Sequence, residues 1–113
     1  MKRILLLTMI SLPIAALGHH GWSEYDSSKT LKLAGKVVDS GYEHPHGHLR
    51  METPGKTWNV ILAPPSRMER RGLAKGMLKP GASVTVEGYA NRDKAEEMRA
   101  ERIIVDGKTI ELR

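Results

Sequence analysis

The sequence contains no cysteine and no phenylalanine, and aromatic residues make up only 4% of its 113 positions. Without cysteine there is no disulfide scaffold, thiolate zinc site, iron–sulfur cluster or cysteine nucleophile. Without phenylalanine the core must be aliphatic and small. The uncharged stretch from Ile4 to Leu17 is shorter than the ~20 residues a membrane-spanning helix needs. No internal repeat, low-complexity tract or second domain is visible, and the length excludes large nucleotide-binding enzymes. What is present is an ordinary globular balance, 40% hydrophobic and 27% charged.

The amino terminus reads as an address. Lys2 and Arg3 precede the uncharged stretch, and Ala16-Leu17-Gly18 places small residues at the −3 and −1 positions of a cleavage site. This is the layout of a secretory signal peptide over residues 1–18. The expectation is a periplasmic or secreted protein with no stable membrane insertion once the segment is removed. No lipobox cysteine offers a lipid anchor. Loss of Lys2 and Arg3 would lower the formal charge from +5 to +3. That excess suits solubility rather than a nucleic-acid footprint.

Residues 19–29 are polar and turn-rich and read as an N-terminal arm, with Trp22 or Tyr25 available to pack on the body. From residue 30 the period becomes two. Leu31, Leu33, Gly35 and Val37 share one face of a strand. His48 to Glu52 alternates again and stops at Pro54-Gly55; Trp58, Val60 and Leu62 follow, closely enough for a hairpin. Ser66 and Glu69 have capping-box spacing, and Gly72 is a natural helix stop. Ser83 to Glu87 and Met98 to Val105 form two more strands around a polar excursion, Asn91 to Glu97. Asp106-Gly107 then turns the chain into a short return strand with Ile110 and Leu112 on one side.

Three strands, a helix and two strands is the order of the OB-fold. The predicted class is therefore mainly β: a small, OB-fold-like, five-stranded Greek-key barrel over residues 30–113, with one short helix between strands 3 and 4. Closure removes exposed edges, and Gly35 suits a sharp bend in a long first strand. An open twisted sheet under one helix is the structural alternative.

Several phrases occur together: His19-His20-Gly21-Trp22, Glu43-His44-Pro45-His46, Leu62-Ala63-Pro64-Pro65-Ser66-Arg67, Leu78-Lys79-Pro80-Gly81 and Gly107-Lys108-Thr109. In these the chain resembles a family of small secreted bacterial proteins described as a domain of unknown function. The resemblance implies export and a small barrel-like domain, and it implies no catalytic residues.

All five histidines fall in two clusters, His19 and His20, then His44, His46 and His48. Imidazole is the commonest protein donor to transition metals. Cleavage after Gly18 would free an α-amine on His19, which could chelate with its own ring and with His20. Such a nitrogen-rich set favours Cu(II), with zinc or nickel behind it. His44, His46 and His48 share parity and would face one way on a strand. The competing reading makes them exposed polar residues in a turn. A Cu(I) site built from His48, Met51 and Trp58 is disfavoured, because His48 and Met51 have opposite parity. Trp58 then reads as core, and Met68, Met77 and Met98 as gap-fillers.

No Ser-His-Asp set can be assembled, and Ser66 has its capping role. Arg67, Arg70 and Arg71 form a basic patch that could meet an acidic partner or could be a solvated helix face. Two Trp and three Tyr are few for a stacking platform, so nucleic acid is not the expected partner. The expectation is a non-enzymatic exported protein that binds a divalent metal, copper first. The alternative is an envelope interaction module that takes a protein or small ligand and no metal.

Overall fold

Alternating apolar and polar residues build six strands in the computed structural model, which describes residues 21–113. They are β1 (Tyr25–Gly41), β2 (His48–Thr53), β3 (Lys56–Ile61), β4 (Ser83–Asn91), β5 (Glu97–Val105) and β6 (Lys108–Glu111). The helix α1 (Pro65–Arg70) lies between β3 and β4. Short 3-10 turns cover Trp22–Glu24 and Lys75–Leu78. The signal peptide expected over residues 1–18, and both histidines of the first cluster, lie outside the described residues.

The sheet closes on itself. β1 pairs antiparallel with β2 and with β4, β2 with β3, and β4 with β5. The parallel pairing of β3 with the start of β5, from Asn59↔Glu97 to Ile61↔Arg99, completes the ring. β6 then takes the far half of β5, from Arg102↔Glu111 to Val105↔Lys108. This is the five-stranded OB barrel with a sixth strand appended, and the open-sheet alternative falls.

β1 reaches both sides of the ring because it changes partner at Lys36, which pairs with Ser83 of β4 and Glu52 of β2. Gly35 stands at that change. A Cβ there would lie 2.1 Å from the Glu52 carbonyl oxygen, so only glycine admits so close a crossing. β1 begins at Tyr25, ahead of the alternation that starts at residue 30. The stretch between the Tyr25↔Asn91 and Thr30↔Tyr89 pairs is irregular, which hides the strand from a period-two reading.

The barrel interior is aliphatic with methionine in place of phenylalanine. Leu49, Met51, Val60, Met68, Met98 and Ile103 are fully buried. Unbranched thioether side chains fill irregular gaps that rings would otherwise occupy. Trp58 is only half-buried, packed against the rim of the core, with Lys56 Nζ 3.7 Å from its ring centroid. Asp106 (φ 51°) and Gly107 (φ 71°) make the β5–β6 turn with two positive φ values, the type I′ hairpin that Asp-Gly favours.

The helix differs from expectation at its start. Pro64 is the N-cap and Pro65 the first helical residue, so Ser66 sits inside the helix and forms no capping box. Proline at that position satisfies the missing-donor problem by having no N–H to orphan. The end is as expected and better defined. Gly72 has φ +89°, its N–H donates to the Glu69 carbonyl at 3.1 Å, and Leu73 N–H donates to the Met68 carbonyl at 2.9 Å. That is a Schellman motif with its apolar contact between buried Met68 and Leu73. Ser66→Ala should therefore change stability by less than about 0.5 kcal/mol, whereas Gly72→Ala should cost about 1 kcal/mol. Urea unfolding of both variants checks the pair.

Candidate functional site

The second histidine cluster does not lie on one strand. Residues 42–47 form a loop ahead of β2, so alternation does not apply to them. His44 is exposed in the bend. His46 is half-buried, with Nε2 3.4 Å from an Arg99 terminal nitrogen. His48 lies on β2 opposite Gly41, its ring against the glycine: a Cβ on Gly41 would meet it at 2.2 Å. Among the described residues, no group of three or more His, Asp or Glu side chains is placed to hold a metal ion. The strand parity that would align these three imidazoles therefore does not apply to His44 and His46. His19 and His20 lie outside the described residues.

The structure instead gathers charge and aromatic surface around Trp22. Arg99 Cζ lies 4.2 Å from the Trp22 ring centroid and Arg113 Cζ 4.5 Å from it. Tyr89 meets the same indole edge-on, with centroids 6.1 Å apart and planes at 78°. The turn that carries Trp22 is strapped to the end of β4: Arg92 N–H donates to the Glu24 carbonyl at 2.9 Å, and Arg92 Nε to the Ser23 carbonyl at 3.1 Å. Tyr25 anchors the next position, fully buried, its hydroxyl donating to Glu97 at 2.8 Å. The arm therefore packs on the body through both residues that the sequence offers for it.

Arg99 is the centre of this flank. It is 6% exposed, on β5 between buried Met98 and Ala100, and its alternation sends it to the outside of the barrel under Trp22. Burial lowers its pKa below the ordinary arginine value, and the positive charges of Arg113 and Arg67 add to that against Glu24. Glu101 accepts from the Tyr89 hydroxyl at 2.9 Å and lies 3.7 Å from Arg113. Its bond to the phenol, with burial, raises the Tyr89 pKa. From α1, Arg67 donates to the Leu112 carbonyl at 3.1 Å; Arg71, at the helix end, donates to those of Glu111 and Arg113. A basic helix face that reads as solvated thus holds the last strand in place. Arg99 itself escapes the sequence reading. A lone arginine in a strand looks like any exposed outer residue, and only the arm, which pattern analysis leaves without a docking place, buries it.

The outer face of β2 and β3, where OB-folds commonly take oligonucleotides, carries His48, Arg50, Glu52, Thr57, Asn59 and Ile61 here. It has no aromatic platform, and Arg50 is paired with Asp39. A shallow groove of about 480 Å³ lies at the opposite end of β4 from Tyr89, lined by residues that include Ala34, Thr85, Ile104 and Asp106. It has neither histidine nor aromatic side chains. No helix among the described residues is long and apolar enough to cross a membrane.

A family model described as a family of unknown function, DUF6152, matches residues 7–99. The chain belongs to this family. The match runs through the Trp22 turn and ends at Arg99, so it covers most of the barrel but leaves Glu101 and Arg113 of the flank outside it. No curated protein sequence matches. Among solved structures, the chain is similar to TiaS in a complex with tRNA and ATP, at 18% identity and TM-score 0.54, over 79% of this chain and 20% of that one. It is likewise similar to a chain of the S. pombe Stn1–Ten1 complex, at 19% identity and TM-score 0.52, over 74% of this chain and 58% of that one. The family member described here thus spans about a fifth to three-fifths of these proteins' lengths. At such identities the likeness concerns the fold, which is the OB barrel.

Proposed function

We propose that the chain is a non-catalytic binding module of the cell envelope, exported after loss of residues 1–18, whose ligand-contacting surface is the Trp22 flank. The observation that carries this reading is the indole shared by Arg99 and Arg113 with Tyr89 at its edge. Aromatic and arginine side chains concentrate binding energy wherever proteins recognise partners. The β2–β3 face, by contrast, lacks the stacking residues a nucleic-acid reader needs. The test is location. Amide spectra of isotope-labelled protein titrated with envelope extract should shift first at residues 21–24, 46, 89, 99–101 and 113. Shifts centred on the outer face of β2 and β3 would defeat the reading.

A second reading, copper binding, keeps one specific support. A chelate made by the His19 amine, the His19 ring and His20 uses contiguous residues and does not need the second cluster to converge. Two peptide units separate His20 from Trp22, at most about 7.6 Å between Cα atoms. Trp22 in turn stacks on the arginine that touches His46. The Arg99 guanidinium beside His46 counts against a cation there. Cu(II) titration of the secreted protein should give one tight equivalent, lost when His19 and His20 are both replaced by alanine. Equal weak uptake by both proteins would remove copper from consideration.

A further inference from the structure

β1 gives its two edges to different partners. Along residues 30–36 it pairs with β4, from Thr30↔Tyr89 to Lys36↔Ser83 with no register shift, and from Lys36 onward it pairs with β2. Val37 N–H donates to the Ala82 carbonyl at 2.9 Å, and the Val37 carbonyl accepts from Gly81 N–H at 2.8 Å, which fixes the phase of the ladder. Backbone polar groups of Leu31, Leu33 and Gly35 therefore face β4, and those of Thr30, Lys32 and Ala34 face the opposite way. Among the described residues, no strand stands on that side until Lys36 meets Glu52 of β2. Thr30, Lys32 and Ala34 are all exposed.

Other strand edges have cover. Lys56 Nζ donates to the Ala95 carbonyl at 2.6 Å and Asn59 N–H to that of Glu96 at 2.7 Å, which closes the start of β3. Arg71 takes the carbonyls of Glu111 and Arg113 at the end of β6. Residues 30–34 have no such cover among the described residues. Where this edge reaches β2, the short hairpin leaves a hollow of about 380 Å³ bounded by Gly35, Lys36, Glu52 and Pro54, with room for the end of an added strand.

The two faces beside the edge differ. On the barrel side Leu31 and Leu33 are partly buried against the core. On the outer side charge runs in register. Glu111, Arg102, Glu87 and Lys32 are successive neighbours across β6, β5, β4 and β1. Their charged atoms are 3.0, 3.0 and 3.5 Å apart in turn. The signs alternate, and the row stops on Lys32 at the open edge, its side chain 69% exposed. The next place in that row, on an added strand, suits a carboxylate.

We propose that residues 30–34 of β1 are a docking edge for an extended peptide segment of another protein. The segment adds a strand beside β1, sets an acidic side chain opposite Lys32 and lays apolar side chains against Leu31 and Leu33. Main-chain hydrogen bonds give such pairing its affinity, and alternate side chains give it specificity. A second copy of the chain fits poorly. Pairing β1 with itself would gather Lys32 and Lys36 of both copies on one surface, and edge lysines are a common guard against self-association. The edge lies across β1 from β4, and its role does not depend on the Trp22 flank.

Amide hydrogen exchange reads the edge residue by residue. In the free protein the amides of Thr30, Lys32 and Ala34 should exchange quickly, and those of Leu31, Leu33 and Gly35 slowly. The probe is a capped heptapeptide alternating valine and glutamate, compared with the same peptide carrying lysine for glutamate. The glutamate peptide should bind saturably in the millimolar range or below and slow the first three amides selectively. The lysine peptide should bind severalfold more weakly, and Lys32→Glu should reverse the order. Ala34→Pro removes an open-edge N–H without touching the ladder to β4 and should weaken the glutamate peptide severalfold. Circular dichroism identifies a variant that fails to fold; Lys32→Glu, at an exposed position, then carries the test alone. Slow exchange of Thr30, Lys32 and Ala34 in the free monomer would show the edge to be covered and would overturn the proposal. So would equal affinity for the two peptides, or no binding of the glutamate peptide. Protection of these amides by dimerisation alone would give the edge to a second copy and overturn it as well.

Discussion

Gly88→Ala should destabilise the barrel by about 3 kcal/mol or more, and the variant is expected to populate unfolded chain in mild urea. A Cβ at Gly88 would stand 1.9 Å from the Arg99 carbonyl oxygen and 2.8 Å from Ala100 Cα. Both obstacles are backbone atoms of β5, so no side-chain rotation relieves them. β4 and β5 would have to separate where the register shifts between Glu87 and Gly88. The same residues of β5 carry Met98 and Ala100 into the core and Arg99 under the indole. The variant should therefore lose near-ultraviolet signal from Trp22 along with its stability. Gly76 is the control. A Cβ there meets nothing within 4 Å, and Gly76→Ala should be nearly neutral. A Gly88→Ala midpoint within error of the parent would mean that the two strands are not so closely apposed.

The barrel is legible in the sequence because its information is local. Leu49, Met51, Val60 and Leu62 alternate, and each is buried as the period demands. Asp106-Gly107 turns as its dipeptide predicts. Gly35 marks the bend because a missing side chain in a strand usually signals close approach. Sequence and structure part where local signals compete or are absent. Ser66 and Glu69 have the right spacing for a capping box, but Pro64 and Pro65 start the helix first, since proline tolerates that position with no capping partner. Period-two parity holds from His48 onward but not across residues 42–47, where the chain is a loop and parity has no meaning.

The flank is legible only in part. Trp22 and Tyr25 stand out as aromatic residues in a polar arm, and both dock. Their receiving surface is assembled from β4, β5, α1 and the last residues, so that Trp22 and Arg113 meet from opposite ends of the described chain. Nothing in the immediate neighbourhood of Arg99 or Arg113 announces that they share a ring. Long-range assembly of outward-facing residues leaves no periodic trace, because period reports only which face of the sheet a residue occupies.

Tyr25→Ala should cost about 3–5 kcal/mol, the range for emptying a buried aromatic position. Tyr25→Phe should cost about 1 kcal/mol, the net value of the hydroxyl's bond to Glu97. Asn91 Nδ2, at 2.9 Å, remains to serve the same carboxylate oxygen. The two variants separate packing from hydrogen bonding, and alkaline pH separates them further. Burial, reinforced by the bond to Glu97 and its negative charge, raises the Tyr25 pKa well above the ordinary tyrosine value of 10.0. The folded state then holds its phenolic proton at pH values where the unfolded chain has released it. Stability from this group is complete below pH 10 and declines as pH rises toward the folded value. The loss near pH ~11 is about 1.4 kcal/mol, one unit past the unfolded pKa. Tyr25→Phe should flatten the decline between about pH 10 and about pH 11.5 without abolishing it, because Tyr42 and Tyr89 are also raised, by burial and by the bond to Glu101 respectively. Parallel alkaline profiles of wild type and Tyr25→Phe would show that the phenol is not buried against β5. The Trp22 turn would then lack its anchor, and the flank would lose the scaffold on which its arginines are arrayed.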